Sequence, residues 1–351
     1  MKKHSVAVIG QFMYRNPADA VNGQTIKTKN YEQVLVDRYG RENVRTLDTE
    51  NFKKHLVPNY LQLFSIAKNC DAIFILPTGN GLILMLPVLC ALKKIFSFKV
   101  LYPVIGGWLP EFLTSNKFVR HFMSCVDRVY PETEDMAKEL RELGVKNVET
   151  AYNFSLRDKI ENEQKELTSE GIFKFCTFSR VTEKKGIGQA IEAVAQLNQD
   201  GKIAELDIFG PVESVYQDKF SSLVEENNDC VKYKGVLGGK DIIQVLGQYD
   251  LMLFPTYYPG EGMPGAVVEA LTAGTPVIAS DWHYNKEVVT NGYSGIIYNL
   301  EEEDGLITSI RKLISNRTEL QNMRENCVEE SKRFSAEAVM KPIFQYIEEA
   351  K

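Results

Sequence analysis

Pro255-Thr256-Tyr257-Tyr258-Pro259-Gly260-Glu261-Gly262-Met263-Pro264-Gly265-Ala266-Val267-Val268-Glu269-Ala270 is the stretch that decides how this chain is read. The run ahead of it, Asp250 to Pro255, is apolar, of strand length and stopped by proline. The run behind it, Ala266 to Ala273, has a helical pattern closed by Gly274 and a Thr275-Pro276 stop. A strand, a Gly-rich loop and a helix start together hold an anion, because free backbone N–H groups and the positive helix end converge on it. A carboxylate in that loop would repel a phosphate, so Glu261 is expected against a neutral, hydroxyl-rich part of a ligand. Glu269, about two turns further on, suits vicinal hydroxyls such as those of a ribose. The ligand expected is a sugar joined to a nucleotide diphosphate.

Glu261 and Glu269 stand as E-x7-E around Gly262-Met263-Pro264-Gly265. With Ala273 to Asp281 and Asn291-Gly292-Tyr293-Ser294-Gly295 behind them, this set resembles the donor-site signature of retaining glycosyltransferases of family 4. A bare E-x7-E recurs by chance, whereas the ordered set across residues 250–299 is specific. The resemblance implies an α/β GT-B fold, with two Rossmann-like domains whose parallel sheets face across a cleft. The expected division is 1–156 for an acceptor domain, 157–334 for a nucleotide-sugar donor domain, and 335–351 for a terminal helix returning to the first.

At 351 residues the chain exceeds the usual single-domain size, and 44% hydrophobic residues suffice for two cores. Six scattered cysteines and four histidines show no metal-ligand spacing, so no metal is expected. No secretory pattern opens the chain, and the apolar run Leu82 to Phe98 is broken by Pro87 and Lys93-Lys94. That run reads as a buried helix between two strands, with an interfacial membrane segment as the alternative. Residues 1–160 carry 22 Lys and Arg against 16 Asp and Glu, whereas the remainder carries 19 against 31. A basic half suits an anionic lipid surface or a pyrophosphate-linked acceptor, unless the asymmetry is only a chance spread of solvated charge. No nucleic-acid signature is present. The expectation is a cytoplasmic protein with peripheral contact to an anionic membrane.

Strand-like runs at Ser5 to Gly10, Asp71 to Leu76, Lys99 to Ile105 and Arg128 to Tyr130 alternate with helical segments. The charged stretch Arg157 to Glu170 reads as a connector. Five further strands are expected at 174–179, 205–209, 231–234, 251–255 and 276–280, followed by helix through Glu302 to Phe334 and an amphipathic segment from Ser335 to Ala350.

Arg180 and Lys185 lie in Thr177 to Gly186, a segment similar to the family's Arg…Glu-Lys-Gly motif, whose cations contact the diphosphate. Two cations there neutralise a diphosphate and stabilise charge as it leaves. Gly210 resembles the family's strand-ending glycine near the nucleotide, and Val236 falls where relatives clamp the base with backbone groups. Gly23, Gln24 and Thr25 lie between the first strand and a helix expected from Ile26 to Tyr39, where the family's members place a Gly-rich loop over the donor diphosphate and near the acceptor. Many relatives carry a histidine where this chain has Val104-Ile105-Gly106-Gly107-Trp108. There the N–H groups of Gly106 and Gly107 are candidates to serve the sugar. Trp108 is read either as an acceptor-stacking ring or as a half-buried core residue.

No D-x-D pair is present to hold a metal on the diphosphate, so Arg180, Lys185 and helix ends would take that part. The reading is a metal-independent, cofactor-free retaining transferase that moves a sugar from a nucleotide donor, a UDP-sugar by analogy, to a saccharide or lipid-linked acceptor in cell-surface polysaccharide or glycoconjugate synthesis. Its rivals are a non-catalytic subunit of the same fold and an epimerase, which would need acid–base residues not found here.

Overall fold

The computed structural model describes residues 4–14, 22–156, 171–238 and 241–349. The connector expected at Arg157 to Glu170 lies outside the described residues. The chain folds as two compact units, one of Met1–Asn153 with Ala336–Lys351, the other of Phe154–Ser335.

The first unit holds β1 (Val6–Gly10), β2 (Val44–Asp48), β3 (Ala72–Ile75), β4 (Lys99–Pro103) and β5 (Arg128–Tyr130), parallel and in the order β2-β1-β3-β4-β5. β1 and β3 are buried throughout, as strands covered by helices on both faces must be. β2 was not expected. Its sequence, Val-Arg-Thr-Leu-Asp, has only two buried positions, as suits an edge strand. The apolar run after β3 forms the helix Gly79–Lys93, with Leu82, Leu86, Leu89 and Leu92 buried beneath it.

The helix Ala336–Glu348 belongs to this unit. Val339, Met340, Ile343 and Ile347 are its buried stripe. Arg38 grips Glu348 at 3.0 and 2.9 Å, and the Tyr346 ring lies 4.2 Å from Lys99 Nζ and 4.1 Å from Arg128 Cζ.

The second unit holds β6 (Phe173–Phe178), β7 (Ala204–Phe209), β8 (Val231–Gly235), β9 (Leu251–Phe254), β10 (Val277–Ser280) and β11 (Gly295–Tyr298) in the order β11-β10-β9-β6-β7-β8, all parallel. β11 was also not expected, because its four residues open on glycine within a turn-rich segment. The helical stretch near the end is interrupted at Ser315-Asn316, where the Asn316 side chain caps the helix Arg317–Ser331.

These strand orders say where ligands can bind. Open parallel sheets accept them beyond the carboxyl ends of two neighbouring strands whose connections run in opposite directions. Those strands are β1 and β3 in the first unit, and β6 and β9 in the second.

Candidate functional site

At the β6/β9 switch point the two diverging loops are fastened to each other. Tyr257 N donates to Lys184 O at 2.9 Å. Gly186 (φ 71°) lies so close that a Cβ there would sit 2.1 Å from the Pro255 carbonyl oxygen, so any side chain would part the loops. The Thr256 backbone carbonyl accepts from Ser280 Oγ at 2.5 Å, and Trp282 Nε1 donates to Tyr258 O at 2.8 Å. The loop after β9 is therefore held from both neighbouring strands.

This frame brings three of the expected residues together. Lys185 Nζ stands 2.5 Å from Glu261 Oε2, with the two side chains 10% and 9% exposed. Thr256 Oγ1 donates to the same oxygen at 2.9 Å. Among the described residues both bonds to the Glu261 carboxylate thus end on Oε2. Tyr258 links the cations: its ring centre is 5.3 Å from Arg180 Cζ and 5.1 Å from Lys185 Nζ. Arg180 is exposed. Lys185, expected on a diphosphate, is here neutralised by Glu261, so an entering phosphate would share a cation already fixed in place.

Gly262, Met263 and Pro264 are buried and lead into the helix Gly265–Thr272, whose Ncap residue, Pro264, makes no side-chain cap. The start of that helix keeps N–H groups without partners within the helix, and its dipole favours an anion there. Glu269 is half-buried in the second turn. Gly210 (φ 137°) makes its close approach to protein, since a Cβ there would meet Ser179 O at 1.7 Å. Val236 is 53% exposed beyond β8, while Tyr233 holds Gly210 O through a 2.9 Å hydrogen bond.

Thr256, Tyr258, Ser280 and Trp282 gain roles that their sequence positions alone did not assign. His283 follows Trp282 in the left-handed region (φ 45°), which histidine tolerates better than most residues. Burial lowers its imidazole pKa from the ordinary value, and the negative charge of Glu261 opposes that shift. A search of the loops at the carboxyl ends of β9 and β10, as parallel-sheet topology recommends, would have found Trp282 and His283.

In the first unit, Gly23 opens the helix Gly23–Tyr39 behind an Asn22 cap and is exposed, with open space where a Cβ would stand. Gln24 Nε2 reaches Leu76 O at 3.4 Å, and Thr25 is fully buried. Beneath this helix start lies a pairing that sequence reading did not find. Lys27 Nζ meets Glu132 Oε1 at 2.6 Å and Val104 O at 2.7 Å, and Glu132 Oε2 accepts from Gly106 N at 3.2 Å. Burial pulls the Lys27 ammonium below its ordinary pKa, and Glu132 opposes that shift. The pair holds the Val104 to Trp108 loop from below. Gly107 and Trp108 are half-buried. Trp108 donates its indole N–H to Ile105 O at 2.6 Å and packs edge-on against Phe112 at 5.3 Å. Among the described residues no cluster of three His, Cys, Asp or Glu is placed to hold a metal ion.

Comparison with known proteins agrees with this architecture. The chain is 32% identical over 148 residues to the amylovoran biosynthesis glycosyltransferase AmsK of Erwinia amylovora, a match covering 41% of this chain and 34% of that protein. Its fold superposes on HepE of Anabaena, solved in complex with UDP, with a TM-score of 0.77 and 18% identity, over 98% of this chain and 100% of HepE. The lipopolysaccharide outer core galactosyltransferase WaaB gives 0.73 at 14% identity, over 98% of this chain and 99% of WaaB. The fold is therefore GT-B. The sequence pattern of the family described as glycosyl transferases group 1 matches residues 158–334, half of the chain and nearly all of the unit that holds Arg180, Lys185, Glu261 and Glu269. On that match the chain belongs to the group 1 glycosyl transferases.

Proposed function

We propose that this chain transfers a sugar from a nucleotide diphosphate, UDP by preference, to a saccharide or lipid-linked acceptor with retention and without a metal, in the synthesis of a surface polysaccharide or glycoconjugate. The observation that carries the reading is the convergence of Arg180, Lys185 and Glu261 at the β6/β9 switch point, just ahead of the helix Gly265–Thr272. The UDP found with HepE and the biosynthetic role in the name of AmsK support it.

In this reading the helix start, Arg180 and Lys185 take the diphosphate. Glu269 takes the ribose hydroxyls, and Glu261 orients the sugar through Oε1. The bond between the anomeric carbon and the diphosphate oxygen breaks, and the acceptor oxygen bonds to that carbon on the same face. The acceptor proton passes to the departing diphosphate. Positive charge at the anomeric carbon is stabilised by the Glu261 carboxylate, which Lys185 and Thr256 hold still. The cations carry the charge that a metal would otherwise offset.

The test is thermal unfolding with UDP, GDP and their sugars, with and without EDTA. One nucleotide at about 100 times its Kd should stabilise the protein by about 2.7 kcal/mol, untouched by EDTA and lost in Glu269→Ala. Glu261→Gln should lower kcat on the order of 100-fold while nucleotide binding stays nearly constant. Equal losses in both would reduce Glu261 to a binding residue. No shift with any nucleotide would favour the non-catalytic subunit instead.

A further inference from the structure

We infer that Cys90 and Cys125 form a dithiol that a hydroperoxide closes to a disulfide, a modification site at the amino ends of β4 and β5. Cys90 lies in the last turn of the helix Gly79–Lys93, ahead of β4. Cys125 ends the short turn Met123–Cys125, ahead of β5. The helix and the turn pack on each other. The proposed transfer uses neither thiol, so this site stands apart from the donor reading.

The thiols face one another across that contact. Cys90 Sγ reaches over to Phe122 O at 3.9 Å, and Cys125 Sγ reaches back to Leu86 O at 3.8 Å. Leu86 stands four residues before Cys90 on the same helix face, and Phe122 three before Cys125. Each sulfur therefore lies against the backbone that carries the other. Burial pushes the Cys125 thiol above its ordinary pKa, and its hydrogen bond with the Cys90 thiol adds to that rise. The turn is anchored independently of its sulfur, since Lys93 Nζ donates to Cys125 O at 2.9 Å and to Asp127 Oδ2 at 2.5 Å. Both thiols are half-buried, whereas Cys70, Cys176, Cys230 and Cys327 are buried. The two thiols that a small oxidant can reach are thus the two that can join.

Cysteines that pack only as small apolar side chains need neither access nor contact between their sulfurs. The raised pKa of Cys125 keeps its thiolate scarce, so Cys90 is the sulfur that attacks first. It bonds to one oxygen of hydrogen peroxide and becomes a sulfenic acid, while the O–O bond breaks and the other oxygen leaves with the Cys90 proton as water. Cys125 then attacks that sulfur. The S–S bond forms, and the hydroxyl departs with the Cys125 proton as a second water. Over both steps each sulfur loses one electron and the peroxide is reduced. The bond encloses the stretch that carries β4 and Val104 to Trp108. Small thiols would reopen it, as suits a link made only under oxidant.

The experiment treats the full chain with hydrogen peroxide, blocks free thiols with iodoacetamide in denaturant and maps the peptides by mass spectrometry. Four alkylated cysteines and one peptide pair joining Cys90 to Cys125 are expected, with all six thiols recovered after dithiothreitol. Cys125→Ser should stop at a sulfenic acid on Cys90 that dimedone traps, whereas Cys90→Ser should give no dimedone adduct on Cys125 at the same dose. With the loop closed, the first unit should unfold on the order of 10 °C higher, and neither serine variant should show the rise. The peptide map of the unaltered chain decides by itself, whatever a serine does to the packing. A link through any of the four buried cysteines, a link between two chains, sulfinic acids with no link, or a lower unfolding temperature on oxidation would overturn the inference.

Discussion

Each unit places a lysine–glutamate pair at the carboxyl ends of its strands, and the two pairs are built for different ends. Lys27 and Glu132 are 2% and 3% exposed, and the atoms of both also serve backbone groups, the carbonyl of Val104 and the N–H of Gly106. Lys185 and Glu261 are 10% and 9% exposed, share one carboxylate oxygen with Thr256, and stand beside an exposed arginine. The first pair is closed on itself and fixes a loop. The second is less closed, and the proposed function draws on that difference.

The comparison breaks most readily at the closed pair. Lys27→Ala or Glu132→Ala should cost about 3–5 kcal/mol, because either leaves a buried charge without its partner. Lys27→Met with Glu132→Leu should restore much of the loss. Of the two tryptophans, Trp108 lies on the loop this pair holds and Trp282 in the other unit, so Trp108 fluorescence in a Trp282→Phe background reports the right transition. A loss below about 1 kcal/mol for either single variant would place the pair among weak surface contacts.

A smaller effect is expected at the open pair. Lys185→Met should weaken nucleotide binding roughly tenfold to 100-fold, about 1.4–2.8 kcal/mol, as titration calorimetry would read it. Its unfolding temperature should fall less than that of Lys27→Ala, since Thr256 still holds Glu261. If stability falls further than affinity, the pair is a closed one after all.

The smallest effect concerns His283. Its folded pKa is lowered, so below the ordinary imidazole value the unfolded chain takes up a proton that the folded chain resists. Stability should therefore fall with acidification from the ordinary value toward the lowered one. His283→Asn should flatten that part of a denaturation-against-pH curve. Glu261→Gln removes the charge that opposes the shift and should lower the imidazole pKa further in an NMR titration.

The loop after β9 was legible because its pattern is local. Glycines and prolines between a strand and a helix mark the turn from Leu251–Phe254 to Gly265–Thr272 within sixteen residues of sequence. Continuous apolar strands such as β1 and β3 were legible for the same reason, whereas β2 and β11 hide in polar or glycine-bearing sequence at sheet edges. Pairings were not legible. Lys185 and Glu261 are 76 residues apart and Lys27 and Glu132 are 105 apart, so only the sheet order brings them together. Lys27 looks in sequence like one more solvated cation of a helix.

The helix Ala336–Glu348 carries a consequence for how the molecule is made. It comes after the whole second unit in the chain, yet it buries Ile343 and Ile347 in the first unit and lays Tyr346 on Lys99 and Arg128. On the ribosome the first unit emerges early and waits, with the seat of that helix open, while the second is translated and folds. Its final closure joins residues more than 200 positions apart, a long-range step of the kind that slows folding. The two units are thus successive in sequence but interleaved in time, and the one begun first is completed last.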